Sequence, residues 1–321
     1  LLLFPDIPMA LARELDGRFD KRRVKRSSEL RSRFAGHGNG DYCTTRCGQS
    51  FGTLSAEVTM QWKLVAFVVA IAVVQGSTGL VEAQFVGPGG GVPVVAHTPG
   101  VGGTFWRSDV SLVNLEMTDA TVGMFLLPEI VGGSPAFEPV LSEPILVPAG
   151  EQLTMRDVLL TRFGISDGKG ALQIFSFEGG DVVLSSRIYV FDDDGGTYGQ
   201  DITGVQVYGR GWAAGLQNDA FYRTNLGVYL PVDPMPGEVT RFTVTVRDGE
   251  GNEVGEGTFT FPAAGVQQRS LDSLGIGTLL DGWLEVTCSD PSIGWYAYAS
   301  LVDEVTADAV FRPVRVRQPS P

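Results

Sequence analysis

The stretch Thr240-Arg241-Phe242-Thr243-Val244-Thr245-Val246 alternates polar and apolar residues from Arg241 onward. This period of two predicts a half-buried β-strand, because successive side chains of a strand point to opposite faces. A turn-forming cluster of Asp, Gly and Asn follows at residues 248–252, and the alternation resumes at residues 257–261. Two alternating segments around such a cluster predict a β-hairpin. We therefore expect an all-β chain.

Working outward from this hairpin, the sequence contains the same unit twice. Phe105-Trp106-Arg107-Ser108-Asp109-Val110-Ser111-Leu112 matches Phe221-Tyr222-Arg223-Thr224-Asn225-Leu226-Gly227-Val228 at an offset of 116 residues. Three further collinear matches are 147–150 with 261–264, 170–174 with 282–286, and 197–198 with 310–311. Each copy has roughly the length of one β-sandwich domain. The matches predict a tandem duplication with domains at 94–203 and 215–317, joined by a linker at 204–214.

Each copy also contains one helical signal. Thr154-Met155-Arg156-Asp157 has the form of a capping box, and Val158, Leu159 and Phe163 follow at helical spacing. The second copy has a weaker and shorter version at residues 270–274. We expect one short capping helix on each sandwich.

The segment before the repeats has the composition of a leader. Residues 1–59 show no apolar period, and we expect a non-native or disordered extension there. Met60-Gln61-Trp62-Lys63 then precedes an apolar run at 64–74, and Val81-Glu82-Ala83 has the small residues of a cleavage site. This order predicts a secretory signal peptide at 60–83. The alternatives are an uncleaved anchor, although a span needs about 20 apolar residues, and a buried helix. The Gly- and Pro-rich residues 84–93 predict a flexible linker.

The charge balance excludes one class of partner. The 321 residues include 24 basic and 37 acidic ones, for a net charge of −13. Residues 1–83 hold 11 of the basic and 8 of the acidic residues, so the remainder has 13 basic and 29 acidic residues and a net charge of −16. Such a chain repels polyanions, which argues against nucleic acid as a partner. One cysteine, Cys288, follows residue 83. It alternates in step with the apolar residues Leu284 and Val286 of the same predicted strand, so its side chain is expected to be buried.

The residue types that carry chemistry are scarce after residue 83. His97 is the only histidine there, and no Gly-x-Ser-x-Gly motif is present. We therefore expect no enzyme, no catalytic residue and no cofactor, and a structural or surface role for His97. Asp192, Asp193 and Asp194 in a Gly-rich loop are weak calcium candidates, because calcium prefers oxygen ligands. Consecutive Asp side chains diverge, however, so a turn is the simpler interpretation and no metal is expected.

Two aromatic features have both a structural and a binding interpretation. The pairs Trp106-Arg107 and Tyr222-Arg223 recur in both copies. Arg107 and Asp109, two apart on one strand face, are expected to hydrogen-bond a neighbouring strand. The group Trp283, Trp295, Tyr296 and Tyr298 is expected in the core, with an exposed platform for a glycan as the alternative.

The segment 94–109, Val94-Val95-Ala96-His97-Thr98-Pro99-Gly100-Val101-Gly102-Gly103-Thr104-Phe105-Trp106-Arg107-Ser108-Asp109, resembles the opening of a group of uncharacterised secreted bacterial proteins with tandem Ig-like β-sandwich repeats. Gly195-Gly196-Thr197-Tyr198-Gly199-Gln200 is similar to the motif that closes their first repeat. The resemblance covers roughly residues 94–315 and implies an exported, non-catalytic module at the cell surface or outside the cell. The signal peptide itself predicts a secreted, cell-surface or periplasmic location.

Together these observations predict two tandem Ig-like β-sandwich domains that bind or display rather than catalyse. The alternatives are a carbohydrate-binding module pair, because of the aromatics, and a hydrolase that uses carboxylates alone. The sequence assigns no ligand-binding residues. The expected partner is a protein or glycan at the cell surface, with the membrane contacted only through residues 60–83 if they stay uncleaved.

Overall fold

The protein is built almost entirely from antiparallel strands. The computed structural model describes residues 85–87, 89–192 and 194–316. The expected extension at 1–59 and the signal peptide at 60–83 lie outside these residues, as do Cys43 and Cys47. Within the described ranges, no helix is long and apolar enough to cross a membrane.

Twelve strands make up the first half of the described chain. They are β1 (Phe85–Gly87), β2 (Gly89–Pro99), β3 (Phe105–Asn114), β4 (Ala120–Pro128), β5 (Ile130–Val131), β6 (Ser134–Pro135), β7 (Val140–Leu141), β8 (Ile145–Val147), β9 (Gln152–Met155), β10 (Gly168–Glu178), β11 (Val182–Phe191) and β12 (Thr197–Asp201). A short 3-10 helix, Val101–Gly103, lies between β2 and β3, and β5 pairs with β6 in a small separate hairpin.

These strands form two layers, which we name sheets 1 and 2. Sheet 1 has the order β9-β3-β11, with β1 and β12 both on the outer side of β11. Sheet 2 has the order β2-β10-β4, with β7 and β8 both beyond β4. A two-residue pairing of β2 with β3 joins the sheets at one corner. One apolar core lies between the layers and contains Leu112 and Leu184 of sheet 1 and Met124 and Leu172 of sheet 2.

Nine further strands make up the second half. They are β13 (Val207–Tyr208), β14 (Arg210–Asn218), β15 (Tyr222–Leu230), β16 (Thr240–Asp248), β17 (Glu253–Phe261), β18 (Gly265–Ser270), β19 (Leu279–Cys288), β20 (Gly294–Asp303) and β21 (Ala309–Pro313). Sheet 3 has the order β18-β15-β20, with β13 and β21 beyond β20, and sheet 4 has the order β14-β19-β16-β17. Their shared core includes Trp295 of sheet 3 and Phe242 and Val286 of sheet 4.

The two halves pair their strands in the same order. The order β9-β3-β11 of sheet 1 corresponds to β18-β15-β20 of sheet 3, and β2-β10-β4-β8 of sheet 2 corresponds to β14-β19-β16-β17 of sheet 4. The registers agree as well. Asp109 pairs with Arg187 in sheet 1, and Asn225 pairs with Ser300 in sheet 3. Asn225 stands 116 residues after Asp109, the offset at which the two sequences match.

The predicted hairpin is confirmed. Strand β16 ends at Asp248, β17 begins at Glu253, and the two strands pair through Phe242 and Phe259. The Asp248 carboxylate accepts hydrogen bonds from the backbone N–H groups of Glu250 and Asn252 and from the Asn252 side chain. These bonds satisfy the turn's own polar groups, which is why an Asp-Gly-rich cluster closes the hairpin.

The predicted helices form only in part. Helix α1 (Val158–Phe163) occurs in the first half, whereas the second half has a single 3-10 turn, Asp272–Leu274. The predicted capping box is wrong, because Thr154 lies in strand β9 and Asp157 occupies the N-cap position without a side-chain cap bond. The apolar spacing identified α1 correctly, since Val158 and Leu159 are both fully buried.

Both predicted linkers are wrong in the same way. Residues 84–93 overlap β1 and β2, and residues 204–214 overlap β13 and β14. The first strands of each half therefore lie where flexible chain was expected, and the first sandwich begins at Phe85 rather than at residue 94. Close packing explains the glycines: a Cβ on Gly89 would stand 2.6 Å from the backbone oxygen of Ile174.

The outer face of sheet 2 packs on the outer face of sheet 3, so residues 85–316 form four stacked layers. Leu127 and Ala171 of sheet 2 contact Tyr229, Val266 and Tyr296 of sheet 3 in a third apolar cluster. The Tyr229 hydroxyl donates to Oε1 of Gln173 at 3.1 Å across this contact.

Candidate binding groove

An open groove lies along the outer edge of the second sandwich. It has a volume of about 540 Å³ and is open to solvent. Strands β14 and β19 of sheet 4 form one wall, and β21 with the residues after it forms the other. The lining residues are Trp212, Ala213, Ala214, Trp283, Phe311, Arg312, Pro313 and Arg315.

Strand alternation places two tryptophans on the same outer face of sheet 4. Trp212 on β14 pairs with Glu285 on β19, and Ala214 pairs with Trp283. Trp283 therefore lies diagonally across from Trp212, two residues along β19 from its direct partner. The residues between them point inward, and Leu284 is fully buried. Both tryptophans are half-buried. Each ring is therefore partly packed against its neighbours and partly open to solvent, as in ligand-binding aromatic residues.

Hydrogen bonds orient Trp212. Its indole N–H donates to Oε2 of Glu285 at 3.0 Å, and Nε of Arg210 lies 3.4 Å from Oε1 of the same carboxylate. The backbones of Trp212 and Arg315 exchange two hydrogen bonds of 2.9 Å, which fixes the second wall of the groove against the first.

Cationic side chains flank the tryptophans. The guanidinium carbon of Arg247 lies 5.7 Å from the centroid of Trp283, within cation–π range. Arg312 is exposed, and its guanidinium has no hydrogen bond or ion pair with another residue that the structure describes. The lining residues include no acidic side chain, and the adjacent Glu285 is paired with Arg210. The chain is strongly acidic after residue 83, so this surface differs in sign from the average of the molecule.

The predicted aromatic group is divided between core and surface. Trp295 is fully buried against Phe242, with 5.3 Å between ring centroids. Tyr296 and Tyr298 are buried where the two sandwiches meet, and burial raises the pKa of both hydroxyls far above the usual range. The core interpretation is therefore confirmed for these three residues. Trp283 alone is available to a ligand.

The residues around the two aromatic-Arg pairs make different contacts in the two halves. The Tyr189 hydroxyl on β11 donates to Oδ1 of Asp109 on β3 at 3.1 Å, and burial beside Asp109 raises the pKa of Tyr189. In the second half, Arg223 donates to Glu304 at 2.5 Å and to Asn225 at 3.3 Å. Hydrogen bonding to a neighbouring strand is therefore confirmed for Asp109. Arg107 instead lies 3.6 Å from Asp157 at the start of α1, and Arg223 bonds Glu304, which follows β20, and Asn225 of its own strand.

His97 lies in a polar cluster at the end of the first sandwich. Its Nδ1 lies 2.7 Å from Oδ1 of Asp157, and Nε of Arg107 lies 3.6 Å from Oδ2 of that carboxylate. Asp157 has a left-handed backbone, with φ of 48°, and its N–H donates to Oδ1 of Asp109. The cluster attaches the start of α1 to β2 and β3. The histidine thus has the structural contacts expected of it.

Of the three calcium candidates, the structure describes Asp192 and Asp194. The Asp192 carboxylate accepts a hydrogen bond from the backbone N–H of Gly196 and so closes its own turn. Asp194 is exposed, and Asp193 lies outside the described residues. Across the described ranges, no group of three or more His, Cys, Asp or Glu could hold a metal ion.

A second, smaller depression contains two carboxylates. It has a volume of about 210 Å³ and is lined in part by Asp303, Thr306 and Asp308. The backbone N–H groups of Thr306 and Val305 donate to Asp303 and lower its pKa. A general acid needs a raised pKa near neutral pH, so Asp303 is unsuited to that role.

The fold defines an all-β protein of antiparallel sandwich layers, and comparison with known proteins adds little to this class. No family model matches the chain, and no curated protein matches it. Among solved structures, the chain is similar to a protein from Bacteroides fragilis titled "putative beta-galactosidase", at 12% identity and a TM-score of 0.15. The match covers 70% of this chain and 32% of that one. A similarity of this size carries no argument about fold or function.

Sequence reasoning missed Trp212 and Arg312. Trp212 lies within the predicted linker at 204–214, which strand β14 occupies from Arg210 onward. Arg312 lies within strand β21, and no periodicity indicates that this position faces the tryptophans of another sheet.

Proposed function

We propose that the chain is an exported, non-catalytic protein of two tandem Ig-like β-sandwiches that acts by binding or structural display at the cell surface. One observation carries the proposal. The principal groove offers two tryptophans and two arginines, and its described lining includes no side chain of the types that act as general base, general acid or nucleophile. The groove therefore has side chains suited to binding a ligand.

The tandem architecture rests on agreement between sequence and pairing. The matched stretches at offsets of 112–116 residues fall on strands that occupy the same positions in sheets 1 and 3 and in sheets 2 and 4. The acidic surface and the apolar run at 64–74 support export. The proposed partner is a protein or a glycan, and a net charge of −16 after residue 83 disfavours nucleic acid.

Expression of the full chain in a bacterial host, followed by fractionation and N-terminal sequencing, tests export. We expect the protein outside the cytoplasm with Gln84 as its first residue. Recovery in the cytoplasm with residues 60–83 intact would overturn this part of the proposal. Turnover of any glycoside, ester or peptide in a panel of chromogenic substrates would overturn the non-catalytic part.

Carbohydrate binding is the second candidate, and the groove favours it in a modified form. A pair of equivalent sites is not supported, because Gly91 and Ala171 occupy the positions in the first sandwich that Trp212 and Trp283 occupy in the second. Those first-sandwich positions face the buried contact with sheet 3. Any glycan site on this face is therefore single.

A further inference from the structure

We infer that the groove between Trp212, Trp283 and Arg312 binds an acidic oligosaccharide, one that contains uronic acid residues. This inference rests on the proposed binding function and names its ligand class. Three features carry it: the stacking surfaces, the sign of the charge, and the polar sheet face that continues from the groove.

The stacking surfaces suit a sugar ring. A pyranose presents a flat face of C–H groups, which packs on an aromatic ring, and a rim of hydroxyls, which needs hydrogen-bond partners. Trp212 and Trp283 are half-buried on neighbouring strands of one sheet face, and Glu285 fixes the indole of Trp212. A groove of about 540 Å³ lies within the size range of small-molecule sites.

The charge favours an acid. Arg312 and Arg315 line the groove, and the carboxylate beside its tryptophans, Glu285, is already held by the indole of Trp212 and by Arg210. The Arg312 guanidinium is exposed and has no side-chain partner among the described residues, so it can form a bidentate pair with a ligand carboxylate. A chain with 29 acidic residues after position 83 would repel an acidic ligand at most other surfaces. The arginines of the groove therefore mark it as the place where an acidic ligand would bind.

The sheet face beyond the groove continues the site along an extended ligand. Outward-facing threonines lie on β16, β17 and β19, with Thr243 paired to both Thr258 and Thr287. Hydroxyl side chains both donate and accept, which suits the hydroxyls of a second or third sugar unit. The two tryptophans and this row of threonines share one face of sheet 4, together with Glu285 and Glu256, which both pair with Thr245.

A second copy of the chain is a poorer occupant. The outer face of sheet 3, which packs on sheet 2, presents Tyr229, Tyr296 and Tyr298. At the equivalent positions, the outer face of sheet 1 presents Val113, Val183 and Ser185. The aromatic surface that joins the two sandwiches is therefore absent from the face that would have to join one chain to the next.

Isothermal titration of the purified chain with tri- to hexasaccharides of galacturonic acid tests the inference, with neutral cello-oligosaccharides of equal length alongside. We expect the uronate to bind and the neutral sugars to bind at least tenfold more weakly. Trp283→Ala and Arg312→Gln should each weaken uronate binding at least fivefold. Phe221→Ala and Arg162→Gln, which change an exposed aromatic and an exposed arginine far from the groove, should leave it unchanged.

The outcomes separate the inference from the function it rests on. Absence of uronate binding, equal binding of neutral sugars, or full binding by the folded Arg312→Gln protein would each overturn the inference. Tighter binding of a poly-glutamate peptide would overturn it as well, by assigning the groove to acidic protein segments. Release of new reducing ends from the bound oligosaccharide would instead contradict the non-catalytic function while leaving the site in place.

Discussion

The Nδ1 of His97 lies 2.7 Å from Oδ1 of Asp157, and both side chains are mostly buried. At the equivalent place in the second sandwich, Nδ2 of Asn218 donates to Oδ1 of Asp272 at 2.8 Å. In both halves, an N–H donor at the end of the first strand of the sandwich's second layer, β2 or β14, therefore holds a carboxylate at the start of the short helix. The recurrence with a neutral amide indicates that the contact has a structural purpose.

Substitution of His97 should reveal this purpose. His97→Ala leaves the carboxylate of Asp157 without one of its donors, and we expect the free energy of unfolding to fall by about 1–3 kcal/mol. His97→Asn should lose clearly less, because an amide performs the same task at Asn218. Urea denaturation of the three proteins measures the difference. Equal losses in the two variants would show that the hydrogen bond contributes little and that the imidazole ring matters through packing.

The strand pattern could be predicted from sequence because alternation depends only on which side chains face the core. Residues 240–246 and 257–261 illustrate this, since the apolar members Phe242, Val244 and Phe259 are fully buried. The repeat could also be recognised from the sequence, because the same strand pairings in each half favour the same residue types at corresponding positions.

Packing between the halves could not be predicted in the same way. The Gly-rich residues 84–93 have the composition of a linker, but Gly91 is a contact point: a Cβ there would stand 2.7 Å from the Tyr296 ring. A local pattern does not reveal that a partner 205 positions away needs the space. The groove was missed for the same reason, since Arg312 meets the tryptophans only through tertiary structure.

Glycines at the contact between sandwiches provide a test of that packing. A Cβ at Gly227 would lie 2.2 Å from the ring of Tyr298, which is fully enclosed. Gly227→Ala should therefore lower the free energy of unfolding by about 1–3 kcal/mol, as overpacking of a core does. Gly277→Ala, where a Cβ meets open space, is the matched control and should change it by less than about 0.5 kcal/mol. Thermal unfolding of both variants gives the comparison, and similar melting temperatures would contradict the close contact.

Acid stability should depend on the turn carboxylates. Hydrogen bonds from the Asn252 side chain and from backbone N–H groups lower the pKa of Asp248, and the backbone of Thr306 and Val305 lowers that of Asp303. A carboxyl whose folded pKa lies below its unfolded value of about 3.9 stabilises the fold above that pH. This stabilisation is lost as the pH falls through the folded pKa.

Asp248→Asn and Asp303→Asn should consequently flatten the pH dependence of stability below about pH 4. Urea midpoints recorded between pH 2.5 and pH 7 measure the effect. Between pH 7 and pH 2.5, the urea midpoint of the unsubstituted protein should fall further than that of either variant. A parallel decline in all three would show that other carboxyls govern acid unfolding. Asp194→Asn, at an exposed position whose side chain has no described hydrogen bond, serves as the control.

Cys288 should be chemically silent in the native protein. It lies on the inward face of β19 in the core of the second sandwich, and burial raises the pKa of its thiol. Since the thiolate is the reactive species, both the raised pKa and the lack of access slow alkylation. N-ethylmaleimide followed by peptide mapping should modify Cys288 at least a hundredfold more slowly in buffer than in 6 M guanidinium chloride. Rapid labelling of this peptide without denaturant would mean that β19 separates readily from its neighbours, and the tryptophans it positions would then lose their fixed geometry.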